Sequence, residues 1–305
     1  MKKPVIAITM GDPGGIGPEV TLKALKKIRV RSAEFMIIGS PETWKETRER
    51  PEVPFVPVPC FKIEKQKISK WNAQAAFAAI RKAADLALTG RVQAIVTAPV
   101  NKTAMRLVDS EFVGHTEYFA KRAKVQSFAM MFVSKKLKVT LATIHVPVSR
   151  LSRLIRTPLV FEKIRLTDEF LKKYFRIRRP KIAVCALNPH GKETGPEDEK
   201  YIRPAVEKAC KKGMVAVGPR SADQLFFDAY EGRFDAVVSM YHDQGLAPFK
   251  MIAFRDGVNV TLGLPFIRTS PDHGTAFEIA YKNKADERSM IAAIELAIKL
   301  SKGKR

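Results

Sequence analysis

The chain has 305 residues, which is enough for two ordinary domains or for one large α/β unit. Hydrophobic residues make up 46% and charged residues 28% of the chain, a balance that excludes a disordered protein and predicts a globular one. Because 54 Lys and Arg face only 31 Asp and Glu, the formal net charge is +23, which favours anionic partners.

Six short apolar runs bounded by turn residues predict buried β-strands at residues 5–10, 35–39, 94–98, 139–145, 182–187 and 236–241. Helical periodicity separates these runs, with predicted helix starts at Gly17-Pro18, at Ser40-Pro41 and at Ser69, which begins an Ala-rich helix ending at Gly90. Repeated strand–helix units predict an α/β fold with a mainly parallel central sheet covered by helices. Since no repeat or linker divides the chain, we expect residues 1–305 to form a single unit whose two lobes share this sheet.

Three of the five histidines directly follow predicted strands. His145, His190 and His242 would meet at one edge if their strands are parallel neighbours. Three neutral imidazoles with an open position suit a catalytic divalent ion such as Zn²⁺ or Co²⁺. A single loop histidine is more often a surface or capping residue than a ligand, so only the joint placement supports this prediction.

Two other segments have the composition of anion-binding sites. The Gly-rich residues 11–19 follow the first strand and open a helix, although they do not match G-x-G-x-x-G and could simply form a tight turn. Residues 250–268 place Lys250, Asn259 and Arg268 among glycines and apolar residues, which are suitable groups for a phosphate-bearing substrate. The alternative is that Lys250 and Arg268 are ordinary surface charges without a ligand.

The other basic residues lie mostly on helix faces between apolar positions. The densest run, residues 172–181, contains Tyr174 and Phe175 as its only aromatic residues, so scattered solvated charge is favoured over a nucleic-acid groove. No segment reaches the roughly 20 apolar residues of a membrane span. The sequence therefore predicts a cytoplasmic protein with neither nucleic acid nor membrane as a partner.

Taken together, seven motifs resemble the 4-hydroxythreonine-4-phosphate dehydrogenase family of pyridoxal phosphate biosynthesis. They are Gly-Asp-Pro-Gly-Gly-Ile-Gly-Pro-Glu (11–19), Thr-Ala-Pro-Val-Asn-Lys (97–102), Gly-His-Thr-Glu (114–117), Asn-Pro-His (188–190), Ser-Ala-Asp (221–223), Tyr-His-Asp-Gln-Gly (241–245) and Asn-Val-Thr-Leu-Gly-Leu-Pro-Phe-Ile-Arg-Thr-Ser (259–270). The loop at 191–195 is shorter than is usual in that family, and Tyr281 replaces a usual glycine.

The resemblance implies an isocitrate/isopropylmalate dehydrogenase-like fold and a homodimer with active sites at the subunit interface. It implies an NAD or NADP cofactor and one divalent ion (Zn, Co or Mg) on the three strand-end histidines. The implied substrate contacts are His115, Thr116, Lys250, Asn259 and Arg268, and the implied cofactor loop is His273, Gly274, Thr275 and Ala276.

The expected reaction is oxidation of 4-phosphohydroxy-L-threonine at C3, followed by decarboxylation to 3-amino-2-oxopropyl phosphate. Asp243 and Asp223 are candidates to orient an imidazole or to move a proton, and a structural role is the alternative for both. Other candidate substrates are 4-phospho-D-threonate and 4-phospho-D-erythronate. A three-histidine metal hydrolase is the distant alternative.

Overall fold

The computed structural model describes residues 3–28, 32–47, 52–190 and 193–303. The strands are β1 (Val5–Thr9), β2 (Glu34–Gly39), β3 (Phe55–Pro57), β4 (Ala94–Thr97), β5 (Ala129–Val133), β6 (Lys138–Leu141), β7 (Lys181–Cys185), β8 (Val215–Arg220), β9 (Ala236–Ser239), β10 (Val258–Leu262) and β11 (Ile267–Pro271). The α-helices are α1 (Gly17–Lys27), α2 (Glu42–Thr47), α3 (Lys70–Leu88), α4 (Lys102–Arg106), α5 (His115–Arg122), α6 (Leu151–Leu154), α7 (Thr157–Phe170), α8 (Arg203–Lys211), α9 (Ala222–Tyr230), α10 (His242–Ala253) and α11 (Arg288–Gly303).

The chain folds into two compact units. The first comprises residues 1–126 and 264–302, and the second is built mainly from residues 127–263. In the first unit the strand order is β3-β2-β1-β4-β11, and every pair is parallel. The central strands are fully buried at Ile6, Ile8 and Ile95, and α3 packs on β1, β2 and β4 through buried alanines. Small side chains let this helix lie close to the sheet.

In the second unit the strand order is β10-β5-β6-β9-β7-β8. Strands β6, β9, β7 and β8 are parallel to one another, whereas β5 is antiparallel to both of its neighbours. A short hairpin joins β5 to β6, and the Ser134 hydroxyl stabilises it by accepting a hydrogen bond from the Leu137 amide at 3.0 Å. Helices α9 and α10 pack on this sheet over a core that includes Leu141, Val237 and Phe249.

The prediction of an α/β fold with a mainly parallel sheet is confirmed, and each of the six predicted runs contains a strand. Several predicted runs extend beyond the strand that they contain. Strand β6, for example, ends at Leu141 rather than at residue 145. The sequence did not predict β3, β5, β8, β10 or β11. Of the described helices, none has both the length and the apolar character needed to cross a membrane.

Candidate functional site

The second unit places the three strand-end histidines on one edge of its sheet. Strands β6, β9 and β7 are consecutive parallel neighbours, so their carboxyl ends point the same way. His145 lies in the loop after β6, His190 lies in the loop after β7, and His242 begins α10 directly after β9. The ring centroids of His145 and His242 are 5.7 Å apart. Sheet topology therefore brings together two side chains that are 97 positions apart in the sequence.

His145 and His190 both have a left-handed backbone conformation, with φ of 48° and 57°. For a residue with a Cβ this conformation costs roughly 1–2 kcal/mol, although histidine tolerates it better than most. Such strained positions are concentrated at functional sites. Gly191 and Lys192, where this chain departs from the usual loop length, lie outside the described residues.

The donor types at this edge fit a divalent metal ion only in part. The side chain of Asp243 contacts Nδ1 of His242 through Oδ1 at 2.7 Å, an arrangement that leaves Nε2 of the ring for a ligand. Within the described residues, however, no three His, Cys, Asp or Glu side chains are grouped closely enough to hold a metal ion. His145 and His242 can supply two ligands, and the participation of His190 stays a prediction.

A pocket of about 510 Å³ lies beside these residues in the second unit. Its lining includes His190, Asp243 and Asp223, and Asp223 comes from the first turn of α9. Both candidate carboxylates therefore face the same space as one candidate ligand, so either could orient an imidazole or accept a proton from a bound molecule.

Two side chains that the sequence analysis missed fix the loops carrying these groups. Gln244 donates a hydrogen bond to the Ala186 carbonyl at 2.7 Å and accepts one from the Met240 amide at 2.7 Å, which links the ends of β7 and β9. Asp198, fully buried, accepts hydrogen bonds from the amides of Leu187 and Asn188. The pattern of hydrophobic residues contains no signal for either role.

We expect Asp198→Ala to weaken the predicted metal binding by about 10- to 100-fold, because Asp198 fixes the segment just before the predicted ligand His190 and supporting groups of this kind have effects of that size. Two partly buried amides would also lose their acceptor, at a cost of about 1–3 kcal/mol in unfolding free energy. Titration with Co²⁺ and thermal melting measure the two effects. Asp198→Asn keeps one carbonyl acceptor and should lose less. An unaltered Co²⁺ affinity in folded Asp198→Ala would show that this carboxylate does not position the loop.

In the first unit, three buried polar residues and half-buried His115 form what we call the anion cradle: Thr97, His115, Thr116 and Arg268. Arg268 is only 3% exposed, and its Nη2 and Nε donate hydrogen bonds to the Thr97 hydroxyl at 2.7 and 3.2 Å. Burial lowers the pKa of Arg268 to about 10, while Glu117 opposes this shift. The guanidinium therefore stays charged at neutral pH, and Thr97 fixes its orientation.

His115 and Thr116 begin α5, so this part of the cradle has the positive end of a helix. Burial, together with the nearby charges of Arg268 and Lys102, holds the pKa of His115 well below its ordinary value. His115 is therefore neutral at pH 7, and its Nε2 is buried with no hydrogen-bond partner among the described residues. An unpaired buried donor or acceptor beside a fixed cation is an arrangement suited to an anionic ligand.

The Gly-rich turn at 11–19 packs directly on the loop predicted to bind the cofactor. The Ile16 amide donates a hydrogen bond to the Thr275 carbonyl at 2.9 Å. A Cβ on Gly15 would lie 2.8 Å from that same oxygen, so the contact requires glycine. On the loop, Ala276 has a φ of 40° and His273 Nε2 is buried without a partner in the described structure. These orphaned and strained groups fit a loop that receives a ligand, and the cofactor assignment stays a prediction.

Tyr281, which replaces a usual glycine, has a φ of 62°, the conformation that glycine adopts most easily. Its hydroxyl donates a hydrogen bond to the Pro13 carbonyl at 2.5 Å, and its ring lies 5.0 Å below the Lys65 ammonium. These contacts offset the backbone strain and join the segment after the predicted cofactor loop to the Gly-rich turn.

Asp12 in the Gly-rich turn should make stability depend on pH. Burial raises its pKa from 3.8 to about 6, even though its carboxylate accepts a hydrogen bond from the Gly14 amide. The folded state thus holds a proton that the unfolded chain releases, so stability is lost as pH rises from about 4 to 6, by up to about 3 kcal/mol. We expect Asp12→Asn to remove this loss. Urea unfolding of both proteins at pH 4.5 and 7.5 should show that the unfolding free energy of the variant, relative to that of the original protein, increases with pH. An equal difference in unfolding free energy at both pH values would contradict the prediction.

The two remaining predicted contacts, Lys250 and Asn259, lie in the second unit. Lys250 is on the last turn of α10, with its ammonium 6.0 Å from the Phe254 ring. Asn259 is on β10, and its Oδ1 is buried without a partner among the described residues. That orphaned oxygen is consistent with a ligand contact.

Comparison with known proteins gives one family over nearly the whole chain. The family model described as pyridoxal phosphate biosynthetic protein PdxA matches residues 9–297. A 4-hydroxythreonine-4-phosphate dehydrogenase of Desulforapulum autotrophicum is 43% identical, covering 97% of this chain and 95% of its own. A D-threonate 4-phosphate dehydrogenase of Salmonella typhimurium is 40% identical, covering 99% and 100%. The crystal structure of a 4-hydroxythreonine-4-phosphate dehydrogenase from Klebsiella pneumoniae superposes with a TM-score of 0.90 at 36% identity, covering 98% of this chain and 100% of that one.

Proposed function

Since this chain belongs to the family of the pyridoxal phosphate biosynthetic protein PdxA, we propose that it oxidises 4-phosphohydroxy-L-threonine at C3 in the cytoplasm. Loss of CO₂ from the resulting β-keto acid then gives 3-amino-2-oxopropyl phosphate. The enzyme is a dehydrogenase, and its hydride acceptor is NAD or NADP. The proposal includes one divalent ion (Zn, Co or Mg) and a homodimer with its active sites at the subunit interface.

The observation that carries the proposal is the pairing of His145 with His242 at the carboxyl edge of the second sheet, beside a pocket lined by His190 and two carboxylates. We propose that these three histidines hold the ion. A bound divalent ion would lower the pKa of the substrate hydroxyl that it coordinates. We propose that the Asp243 carboxylate keeps His242 in one orientation and that Asp223, which lines the pocket, accepts a proton from a molecule bound there.

The anion cradle supports a phosphorylated, carboxylated substrate. Arg268 supplies a permanent charge held by Thr97, and neutral His115 can share a hydrogen bond without adding a second buried charge. We propose Lys250 and Asn259 as further substrate contacts in the second unit. Binding energy from these groups, which lie away from the reacting carbon, would orient the hydroxyl for hydride transfer.

Nicotinamide chemistry supplies the hydride acceptor, and the chain must hold that ring in place. We propose that His273, Gly274, Thr275 and Ala276 contact the cofactor. Their support is the tight packing of Thr275 on Gly15 and the His273 Nε2 atom, which is buried without a hydrogen-bond partner among the described residues. The residues of this loop thus offer both a close backbone approach and a buried hydrogen-bonding atom.

A related substrate is the second candidate. The Salmonella typhimurium relative, named for D-threonate 4-phosphate, is 40% identical over nearly the full length, close to the 43% of the first relative. 4-Phospho-D-erythronate belongs to the same group of substrates. All of them offer a phosphate, a carboxylate and a C3 hydroxyl, so the anion cradle serves each equally well.

A turnover assay separates these possibilities. NAD⁺ or NADP⁺ reduction is followed by absorbance with each phosphorylated acid, before and after chelation and after adding back Zn²⁺, Co²⁺ or Mg²⁺. We expect the highest kcat/KM for 4-phosphohydroxy-L-threonine and recovery only with added metal. A higher kcat/KM for 4-phospho-D-threonate would assign the second candidate. Hydrolysis without nicotinamide reduction would instead indicate a three-histidine metal hydrolase.

A further inference from the structure

The second sheet has a basic doublet in front of three of its strands. Lys135-Lys136 precedes β6, Arg178-Arg179 precedes β7, and Lys211-Lys212 precedes β8. All six side chains are exposed, and within the described part of the chain none of them forms an ion pair. In the sequence these doublets are more than 30 residues apart and look like scattered surface charge.

The sheet gathers the three doublets at one edge. Strands β6, β9, β7 and β8 are consecutive and parallel, so the residues that precede them lie at their shared amino end. Neighbouring strands are about 4.8 Å apart, so the distance from β6 to β8 is roughly 14 Å. We call this surface the amino edge; the histidines lie at the opposite, carboxyl end of the same strands.

Two aromatic rings lie among these cations. The Lys136 ammonium is 5.2 Å from the Tyr230 ring, and the Lys138 ammonium is 5.2 Å from the Phe175 ring. Tyr230 is 39% exposed. An exposed aromatic face beside lysine and arginine can stack on a nucleobase while the cations contact phosphates.

The few acidic groups near the amino edge do not neutralise it. Asp235 accepts a hydrogen bond from the Lys181 amide, and buried Asp228 is paired with Arg220 and Arg233. Two further carboxylates lie near this edge: exposed Glu231, between α9 and β9, and half-buried Asp256, just before β10. The doublets therefore keep an excess of positive charge, in a chain whose formal net charge is +23.

We propose that the amino edge binds the phosphate backbone of a nucleic acid strand. A duplex carries about one charge per 1.7 Å of its axis, so roughly eight phosphate charges fall within the 14 Å between the outer doublets. Three pairs of exposed cations, one of them beside the Tyr230 ring, match such a ligand better than they match a single small anion. The three histidines of the proposed metal site lie at the other end of the strands.

The test is fluorescence anisotropy of the full chain with labelled 20-nucleotide single strands and duplexes of mixed sequence, over 50–200 mM salt. We expect the binding constant to fall steeply with salt, since each phosphate contact adds about −0.9 to the log–log slope for a duplex. K135Q/K136Q, R178Q/R179Q and K211Q/K212Q should each weaken binding by about tenfold and flatten the slope by about two.

The matched control is R81Q/K82Q, which removes two exposed cations from α3 in the first unit. It should leave both the affinity and the slope unchanged. An equal loss in the control would assign the binding to the net charge of the chain and overturn the proposal. A second arm of the test uses vesicles that contain phosphatidylserine. Exposed apolar side chains beside cations could also bind an anionic membrane surface, and Met251 and Phe254 are exposed just before β10, which begins at the same edge. Binding to vesicles but not to nucleic acid would also overturn it.

Discussion

Replacing His242 by alanine should abolish turnover while leaving the fold largely intact. His242 begins α10 at the surface of the pocket-bearing edge, and its ring packs on His145 rather than in the core. Its loss removes one proposed metal ligand and the partner of Asp243. We expect kcat to fall by at least about 10³-fold, because an ion held by fewer ligands is lost at working concentrations.

Three measurements check this prediction: kcat in metal-supplemented buffer, Co²⁺ affinity and thermal melting. Met251→Ala, on the same helix with its side chain 87% exposed, is the matched control and should retain full activity. The activity of Asp243→Asn should lie between the activities of His242→Ala and Met251→Ala, with metal affinity reduced about 10- to 100-fold. Near-normal turnover of His242→Ala in chelator-treated buffer would eliminate the metal proposal for this site.

Replacing Arg268 by glutamine should reduce kcat/KM for the phosphorylated substrate by about 10- to 150-fold. The guanidinium is buried and charged, so the proposed hydrogen bonds to a substrate anion would be charge-assisted and would contribute about 1.5–3 kcal/mol. Thr97→Val keeps the charge but removes the hydroxyl that accepts two of its hydrogen bonds. For Thr97→Val we expect a smaller reduction of kcat/KM, about tenfold, mainly through a higher KM.

Competition by inorganic phosphate gives a readout that does not depend on catalysis. Its inhibition constant should rise in both variants and stay constant in Lys82→Gln, which removes an exposed cation from α3. Thermal melting separates a binding defect from unfolding, since Arg268 is also buried against Thr97. A folded Arg268→Gln enzyme with unchanged KM and phosphate inhibition would show that the cradle does not bind the substrate.

Several parts of the fold could be predicted from the sequence because they depend on local pattern. Short apolar runs and turn residues gave the positions of strands such as β1, β4 and β9, and the helix start at Ser40 was also correct. Ser69 begins α3 as expected, but its hydroxyl donates a hydrogen bond to Glu64 instead of capping the helix. The hydrogen-bond partner of such a side chain depends on which groups the fold brings next to it.

The antiparallel strand β5 and its partner β10 could not be predicted in the same way. Residues 129–133 (Ala-Met-Met-Phe-Val) contain a single β-branched residue, so this short apolar run does not distinguish a strand from a buried helix segment. The direction of a strand relative to its neighbour is also not encoded within the strand. It depends on whether the connecting segment is a short hairpin, which gives antiparallel strands, or a longer crossover, which gives parallel strands. The hairpin at residues 134–137 reverses the chain and makes β5 the exception in a mainly parallel sheet.

The residue types of the site were visible in the sequence, since imidazoles after strands and cations among glycines are recognisable by themselves. Only the tertiary structure decided which of them meet. The order β6-β9-β7 puts His145 and His242 together, Thr97 fixes Arg268, and Asp198 holds the loop before His190. The same sheet collects three distant basic doublets at its other end. Sequence determines the chemistry of each side chain, but proximity between distant residues arises from strand order, which no local pattern specifies.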